Sequence, residues 1–154
     1  FAVNGVMYNH ESPRRGRDFV TRKITLAAAA IKLGLQKELL IGDVSSMRDW
    51  GYAPDYVEAM WLSLQASEPG DYVFATGELH SVQDVIEIAF SALGLNWSDY
   101  IKVDLNLVRA SDPSRLVGNA SKALRILGWK PKMSFKKMIE EMTLSDLDIL
   151  IKTR

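Results

Sequence analysis

The chain contains no cysteine. That excludes disulfides, thiolate metal sites and a cysteine nucleophile, and it leaves the redox compartment open. Neither sign of charge is in excess: 19 Lys+Arg stand against 19 Asp+Glu. No global field therefore draws the chain to nucleic acid or to an anionic membrane, and any anion site has to come from local clustering. No apolar run approaches the ~20 residues that a membrane span needs. The two histidines, His10 and His80, lie far apart and outside ligand spacing, which argues against a metal site. No Gly-x-Gly-x-x-Gly follows a strand-like run, and none of the five tyrosines has a lysine four residues later. Both absences count against a complete redox enzyme. The start has no initiating Met and no basic n-region; Phe1-Ala-Val-Asn-Gly-Val-Met reads as the middle of a buried strand in a chain cut from something longer.

What is present is the composition of an ordinary soluble globular domain, 154 residues with 47% hydrophobic and 25% charged. That length supports one compact core. Along the chain, Phe1 to Tyr8 predicts a strand, and Asn9 to Asp18, with Pro13, Gly16 and three arginines, predicts a loop. Asp18 is placed to cap a helix running from Phe19 to Leu33, with Gly34 ending it. A short strand follows at Glu38 to Gly42, then a helix from about Pro54 to Ala66 and a third strand at Asp71 to Thr76. Ser81 with Asp84 predicts a capping box for a helix ending at Leu93 before Gly94. Ile101 to Val108 alternates apolar and polar residues, as a half-exposed strand does. Ser121 and Ser134 each open a helix, the last reaching near the terminus. Strands alternating with helices imply an α/β architecture. The six methionines scatter along the chain and are expected in the core.

Three stretches carry possible chemistry. Between Pro13 and Lys23 stand five cations and one carboxylate, on a loop that feeds a helix amino terminus. Such termini present unpaired N–H groups and a partial positive charge, which suits phosphate. Arginine adds bidentate contacts to phosphate oxygens and Lys23 a mobile point charge. Phe19 and Lys23, four apart, offer an aromatic surface beside a cation; a solvated basic loop leading into a capped amphipathic helix fits the same residues. The second stretch, Met47-Arg48-Asp49-Trp50-Gly51, puts an arginine where a strand turns into a helix, a usual ligand-facing position in α/β proteins. A structural Arg48–Asp49 pair with Trp50 in the core is the competing reading. The third is Val108-Arg109-Ala110-Ser111-Asp112-Pro113: Arg109 suits a diphosphate and Asp112 a ribose or guanine edge, or the segment is a polar turn and cap. Glu78 and His80 fit a turn before a helix better than acid–base chemistry.

Taken together the motifs resemble one family. Asn9-His-Glu-Ser-Pro-Arg-Arg-Gly-x-x-Phe-Val-Thr-Arg-Lys is similar to a signature of GDP-mannose 4,6-dehydratases, as is Arg48-Asp-Trp-Gly-x-Ala-x-Asp-Tyr-Val-Glu-Ala-Met-Trp. Ala75-Thr-Gly-Glu-x-His-Ser-Val and Leu127-Gly-Trp-x-Pro match the same family in order and approximate spacing. The resemblance covers nearly the whole chain. It implies the carboxy-terminal part of an extended short-chain dehydrogenase/reductase, that is, the end of the Rossmann sheet plus the smaller α/β substrate-binding domain. Residues 1–154 would be the nucleotide-sugar substrate-binding portion, with the amino-terminal NADP-binding Rossmann half absent. The parent would be a cytoplasmic, homo-oligomeric lyase of GDP-fucose biosynthesis, using NADP to convert GDP-mannose to GDP-4-keto-6-deoxy-mannose without nucleic-acid or membrane partners. The family's catalytic Thr, Glu, Tyr and Lys lie upstream of the matched region, so the resemblance assigns no catalytic residue and implies that this chain alone is inactive. It does imply nucleotide-sugar contacts: Asn9 with the diphosphate–sugar region, Val20 and Lys23 with guanosine diphosphate, and Arg48 and Arg109 with phosphates or ribose. Asp112 stands where the family usually has Glu, in an Arg-Pro-x-Glu pattern that reads Arg-Ala-Ser-Asp here. The segment between the Ser81 helix and Ile101 is short where the family often carries a hairpin-like insertion. A related nucleotide-sugar epimerase or reductase, and a non-catalytic nucleotide-sugar-binding or assembly module, are the alternatives.

Overall fold

A computed structural model describes residues 1–107 and 115–153, with the backbone alone at Leu105. Its first half runs β1 (Asn4–Met7), β2 (Asn9–Glu11), α1 (Val20–Lys32), β3 (Leu39–Ile41), β4 (Met47–Arg48), β5 (Trp50–Tyr52) and α2 (Ala53–Ser63). The second half runs β6 (Asp71–Phe74), β7 (His80–Ser81), α3 (Val82–Ala92), β8 (Ile101–Val103), β9 (Arg115–Leu116), α4 (Ser121–Leu127) and α5 (Phe135–Lys152). Single 3-10 turns at Trp97–Asp99 and Leu105–Leu107 flank β8.

The strands pair mostly in parallel, β1 with β6, β2 with β5 and β3 with β8. β4 lies between β7, antiparallel, and β9, parallel. Parallel neighbours need long crossovers, and the helices between them supply the cover that buries the core. One core gathers α1, α3 and α5 around Ile24, Ala28, Ile86, Phe90, Met138 and Ile139. The alanine run Ala27–Ala29 lets these helices approach closely, because a methyl is the largest group between them. A second, aromatic core sits between α2, β6 and α4, where Tyr56 and Phe74 both meet Trp129 edge-on.

The helix signals in the sequence hold in most places. Ser81 and Asp84 form the reciprocal capping box, and Ser134 caps α5 by accepting from Lys137 N. Gly34 and Gly94 take left-handed φ of 70° and 67° just past α1 and α3, a conformation costly for any side chain. Four expectations fail. Asp18 does not cap α1: Phe19 takes that position after a turn in which its N–H meets Gly16 O, which leaves Asp18 outside. Asn9 to Glu11 is a strand, because β5 offers it a parallel partner that no local pattern reveals. β1 is exposed rather than buried, since among the described residues only β6 pairs with it. The strand at Ile101 ends at Val103, where Asp104 accepts from Asn106 and turns the chain into a 3-10 turn. Met60 departs as well, at 41% exposure on the outer side of α2. The connection from α3 to β8 holds only the Trp97–Asp99 turn and no hairpin.

Candidate functional site

Three local events make a cleft of about 660 Å³. β2 and β5 run side by side, which sets Asn9 opposite Trp50. β4 is held from both sides, with Arg48 opposite His80 of β7 and Leu116 of β9. The chain leaving β3 at Gly42 is crossed by Leu107 so closely that a Cβ on Gly42 would stand 2.7 Å from the Leu107 carbonyl oxygen. Only glycine fits there. Asn9, Val20, Lys23 and Arg48 all line the cleft, so four of the six residues implied by the sequence converge from β2, α1 and β4. Arg109 and Asp112 lie outside the described residues. Their flanks reach the same place, because Leu107 lines the cleft and Leu116 pairs with Arg48.

The amino end of α1 opens into this space, as Phe19, Val20 and Thr21 are all lining residues. Phe19 at the cap position has no side-chain acceptor, and the first turn holds no acid. The first intrahelical donor is Lys23 N, to Phe19 O at 2.8 Å. The positive pole of the helix is thus turned toward the cleft without a protein carboxylate capping it.

The charges of the lining are balanced. Arg15, Lys23 and Arg48 face Glu11, Asp18 and Asp43. Lys23 is tethered rather than mobile: its Nζ donates to Leu40 O at 3.0 Å, tying α1 to β3. The cation on Phe19 is Arg15, with its guanidinium carbon 3.5 Å from the ring centroid, and not Lys23. The sequence pattern named the right aromatic and the wrong neighbour, because Phe19 precedes the helix and its ring turns back over the loop. Glu11 is buried; desolvation pushes its carboxyl above the usual range, opposed first by a hydrogen bond from Thr21 and then by Arg15. Hydrogen bonds from Ser45 and Ser46 hold the Asp43 carboxyl below that range. Arg48 donates to Met47 O at 2.6 Å, which folds its side chain back along its own strand.

Other candidates have structural duties. Arg22, 6% exposed, gives Nε and Nη2 to Asp146 of α5 at 2.7 Å each and Nη1 to the carbonyls of Pro13 and Arg15. It pins the basic loop to the core and leaves four cations in the stretch for other uses. Asp49 accepts from Thr76 N, Thr76 Oγ1, Gly77 N and Gly118 N at 2.6–3.1 Å. It is therefore a knot joining three loops rather than simply the partner of Arg48. Trp50 is core, stacked on Phe135 at 6.0 Å. His80 stacks on Phe135 at 3.7 Å and lies 3.5 Å from Glu78, in the turn that leads to the α3 cap. Glu11 and Thr21 are cleft residues that the motif reading left without roles, and it treated Arg15 only as one arginine of the basic loop. The signal available was the Glu11–Arg15 spacing of four, which is silent until the loop's path is known. Among the described residues no group of His, Asp and Glu is arranged for a metal, and no helix is long and apolar enough to cross a membrane.

A family described as GDP-mannose 4,6 dehydratase matches residues 1–142. GDP-mannose 4,6 dehydratase 2 of Arabidopsis thaliana is 52% identical over 149 residues, covering 97% of this chain and 40% of that protein. The human GDP-mannose 4,6 dehydratase is 42% identical over 167 residues, covering 97% of this chain and 45% of that one. The chain thus spans less than half the length of these relatives. Among solved structures, RMD from Pseudomonas aeruginosa complexed with NADPH superimposes with a TM-score of 0.85 at 22% identity, over 94% of this chain and 47% of its own. UDP-glucose 4-epimerase of Thermotoga maritima with UDP-glucose gives 0.78 at 22%, over 95% and 46%. At that identity the structures speak for the fold alone, that of extended short-chain dehydrogenase/reductases. With residues 1–142 matched and half of all positions identical to a plant relative, the chain belongs to the GDP-mannose 4,6 dehydratase family.

Proposed function

We propose that this chain forms the nucleotide-sugar-binding wall of an NADP-dependent lyase that converts GDP-mannose to GDP-4-keto-6-deoxy-mannose. The observation that carries the reading is the uncapped amino end of α1 opening into the cleft that also holds Lys23 and Arg48. A diphosphate laid there would accept hydrogen bonds from the first-turn N–H groups and meet two cations. The two phosphates make up for the missing acidic cap. Asn9, on the floor opposite Trp50, is placed to reach the diphosphate–sugar junction, and Val20 packs against the nucleoside. Arg109 and Asp112 complete the set on the family resemblance, with Asp112 on the ribose. Asp43, in the loop after β3, opposes an anion, so the phosphates belong at the α1 side of the cleft and the neutral sugar toward Asp43.

NADP supplies hydride removal and return in such a reaction. This chain has no Gly-rich strand-to-helix turn and no Tyr-x-x-x-Lys pair, so we assign it no dinucleotide cradle and derive no redox step from its residues. On the same reading residues 1–154 are the substrate-binding portion of a cytoplasmic, homo-oligomeric parent, and the chain alone is inactive. The test is a titration of the purified chain with GDP, followed by NMR. Shifts concentrated at Val20, Lys23 and Arg48 support the reading, and shifts spread evenly over the surface reject it. Incubation with GDP-mannose and NADP should yield no 4-keto sugar.

A further inference from the structure

One buried acid in the cleft wall has no part in that reading. Glu11 ends β2, is 1% exposed and lines the cleft. A carboxylate removed from water is costly unless it is held. Thr21 Oγ1 donates to its Oε2 at 2.6 Å, and Arg15 Nε stands 3.2 Å from the same oxygen. That Nε is itself buried and makes no hydrogen bond; the ion contact with Glu11 is what holds it. Beyond Nε the guanidinium lies over Phe19, which is half exposed at the mouth of the cleft. The arginine is gripped at both ends, by a buried charge at the stem side and an aromatic ring under the plane.

We propose that Glu11 is a positioning residue: its buried carboxylate fixes Arg15 against Phe19, so that a phosphate entering the cleft meets a cation already in place. This rests on the nucleotide reading of the cleft. The gain is in order and not in charge. A Glu–Arg pair is neutral overall and attracts an anion less than a lone arginine does. A held guanidinium, however, loses little rotamer freedom on binding. The two effects have opposite signs, which makes the proposal decidable. If Glu11 acted only through its charge, removing that charge would tighten phosphate binding; if it positions Arg15, removal weakens it.

The experiment uses the 154-residue chain as wild type, Glu11→Gln, Arg15→Gln and the double variant, each titrated with GDP and with NADPH. The two probes separate a nucleotide-sugar phosphate from a dinucleotide phosphate as the group that Arg15 meets. Glu11→Gln should weaken one probe roughly fivefold to tenfold, the size of one ordinary net hydrogen bond. Arg15→Gln should weaken the same probe at least as much, and the double variant no further. In 15N NMR the Arg15 Nε–H signal should exchange with water faster in Glu11→Gln than in wild type, and the loss of probe affinity beside it is what a merely structural role of the acid would not produce. Tighter or unchanged binding in Glu11→Gln, or additive losses in the double variant, overturns the proposal. If Glu11→Gln does not fold, Arg15→Lys carries the test, because it keeps the charge but not the Nε contact. Wild-type affinity in Arg15→Lys then overturns the proposal. Failure of wild type to bind either probe removes the nucleotide reading and this inference together, a pattern distinct from wild-type binding that Glu11→Gln leaves untouched.

Discussion

Arg22 and Arg48 are the same residue type in two motifs of similar polarity, and the molecule uses them in opposite ways. Arg22 sits in the first turn of α1 and is turned inward, onto the Asp146 carboxylate and the carbonyls of Pro13 and Arg15. Arg48 ends a two-residue strand and lines the cleft. The first holds the basic loop onto α5; the second is, on the proposed reading, a ligand contact. Residue type does not tell them apart. What turns Arg22 inward is a carboxylate 124 positions away in sequence.

The sharpest way to break this contrast is to remove Asp146. Asp146→Ala leaves Arg22 buried with its charge unmatched and takes the acceptor from Thr25. It should cost about 3–5 kcal/mol of folding stability, read from urea denaturation. A loss below about 1 kcal/mol would mean that water or the loop carbonyls suffice for Arg22, and the staple would be discarded. Next in size is Arg48→Ala. We expect GDP affinity to fall by roughly 1.5–3 kcal/mol, with stability changed by about 1 kcal/mol or less. Asp49 and Asp55, the acids that follow it in the motif, direct their carboxylates to backbone N–H groups of Thr76, Gly77, Gly118, Lys132 and Met133, and Asp43, five residues before it, is held first by Ser45 and Ser46 and only last by the Arg48 charge. Removing Arg48 therefore does not strip these acids of their partners. A large stability loss with unchanged GDP affinity would make Arg48 a second Arg22.

A pH series sharpens the comparison at intermediate scale. Desolvation raises the carboxyls of both Glu11 and Asp146, against the hydrogen bonds that Thr21 and Thr25 give them. For an acid whose pKa is higher folded than unfolded, the native state holds the proton longer. Its contribution is then fully present below the unfolded pKa and is lost as pH rises through the folded value. The stability these two acids carry should accordingly decline as pH rises from about 4 into the window above it, so the slope of stability with pH should be less negative in Glu11→Gln than in wild type. A slope identical in the two proteins would show that Glu11 titrates as it does unfolded. The smallest effect belongs to Arg14, exposed in the same loop and outside the cleft lining. Arg14→Ala should change stability by no more than about 0.5 kcal/mol and leave GDP affinity within a factor of about three by calorimetry. A larger loss would mean that the loop binds phosphate through its general charge, and the distinction between placed and unplaced cations would fall.

Periodicity and caps by themselves determined the helices: the Ser81–Asp84 box, the Ser134 cap and the glycines after α1 and α3 are local events, settled within a few residues by backbone sterics and by the need to satisfy end N–H and C=O groups. The first two motifs likewise marked stretches that meet in the cleft, because an arginine at a strand end or a basic run before a helix is itself a local arrangement. Pairing was not legible in the same way. Asn9–Glu11 became a strand only because Trp50–Tyr52 lies beside it, and β1 is exposed because pairing on one side leaves the other open. Nor could spacing say which cation of the loop faces the cleft. Arg22 turns inward because Asp146 and Thr25 meet it in the core, Arg15 turns toward Phe19 because Glu11 is buried beneath it, and Lys23 is tied to Leu40. A charged side chain goes where its counter-charge and its dehydration cost balance, and both depend on residues far along the chain that only the tertiary fold brings near.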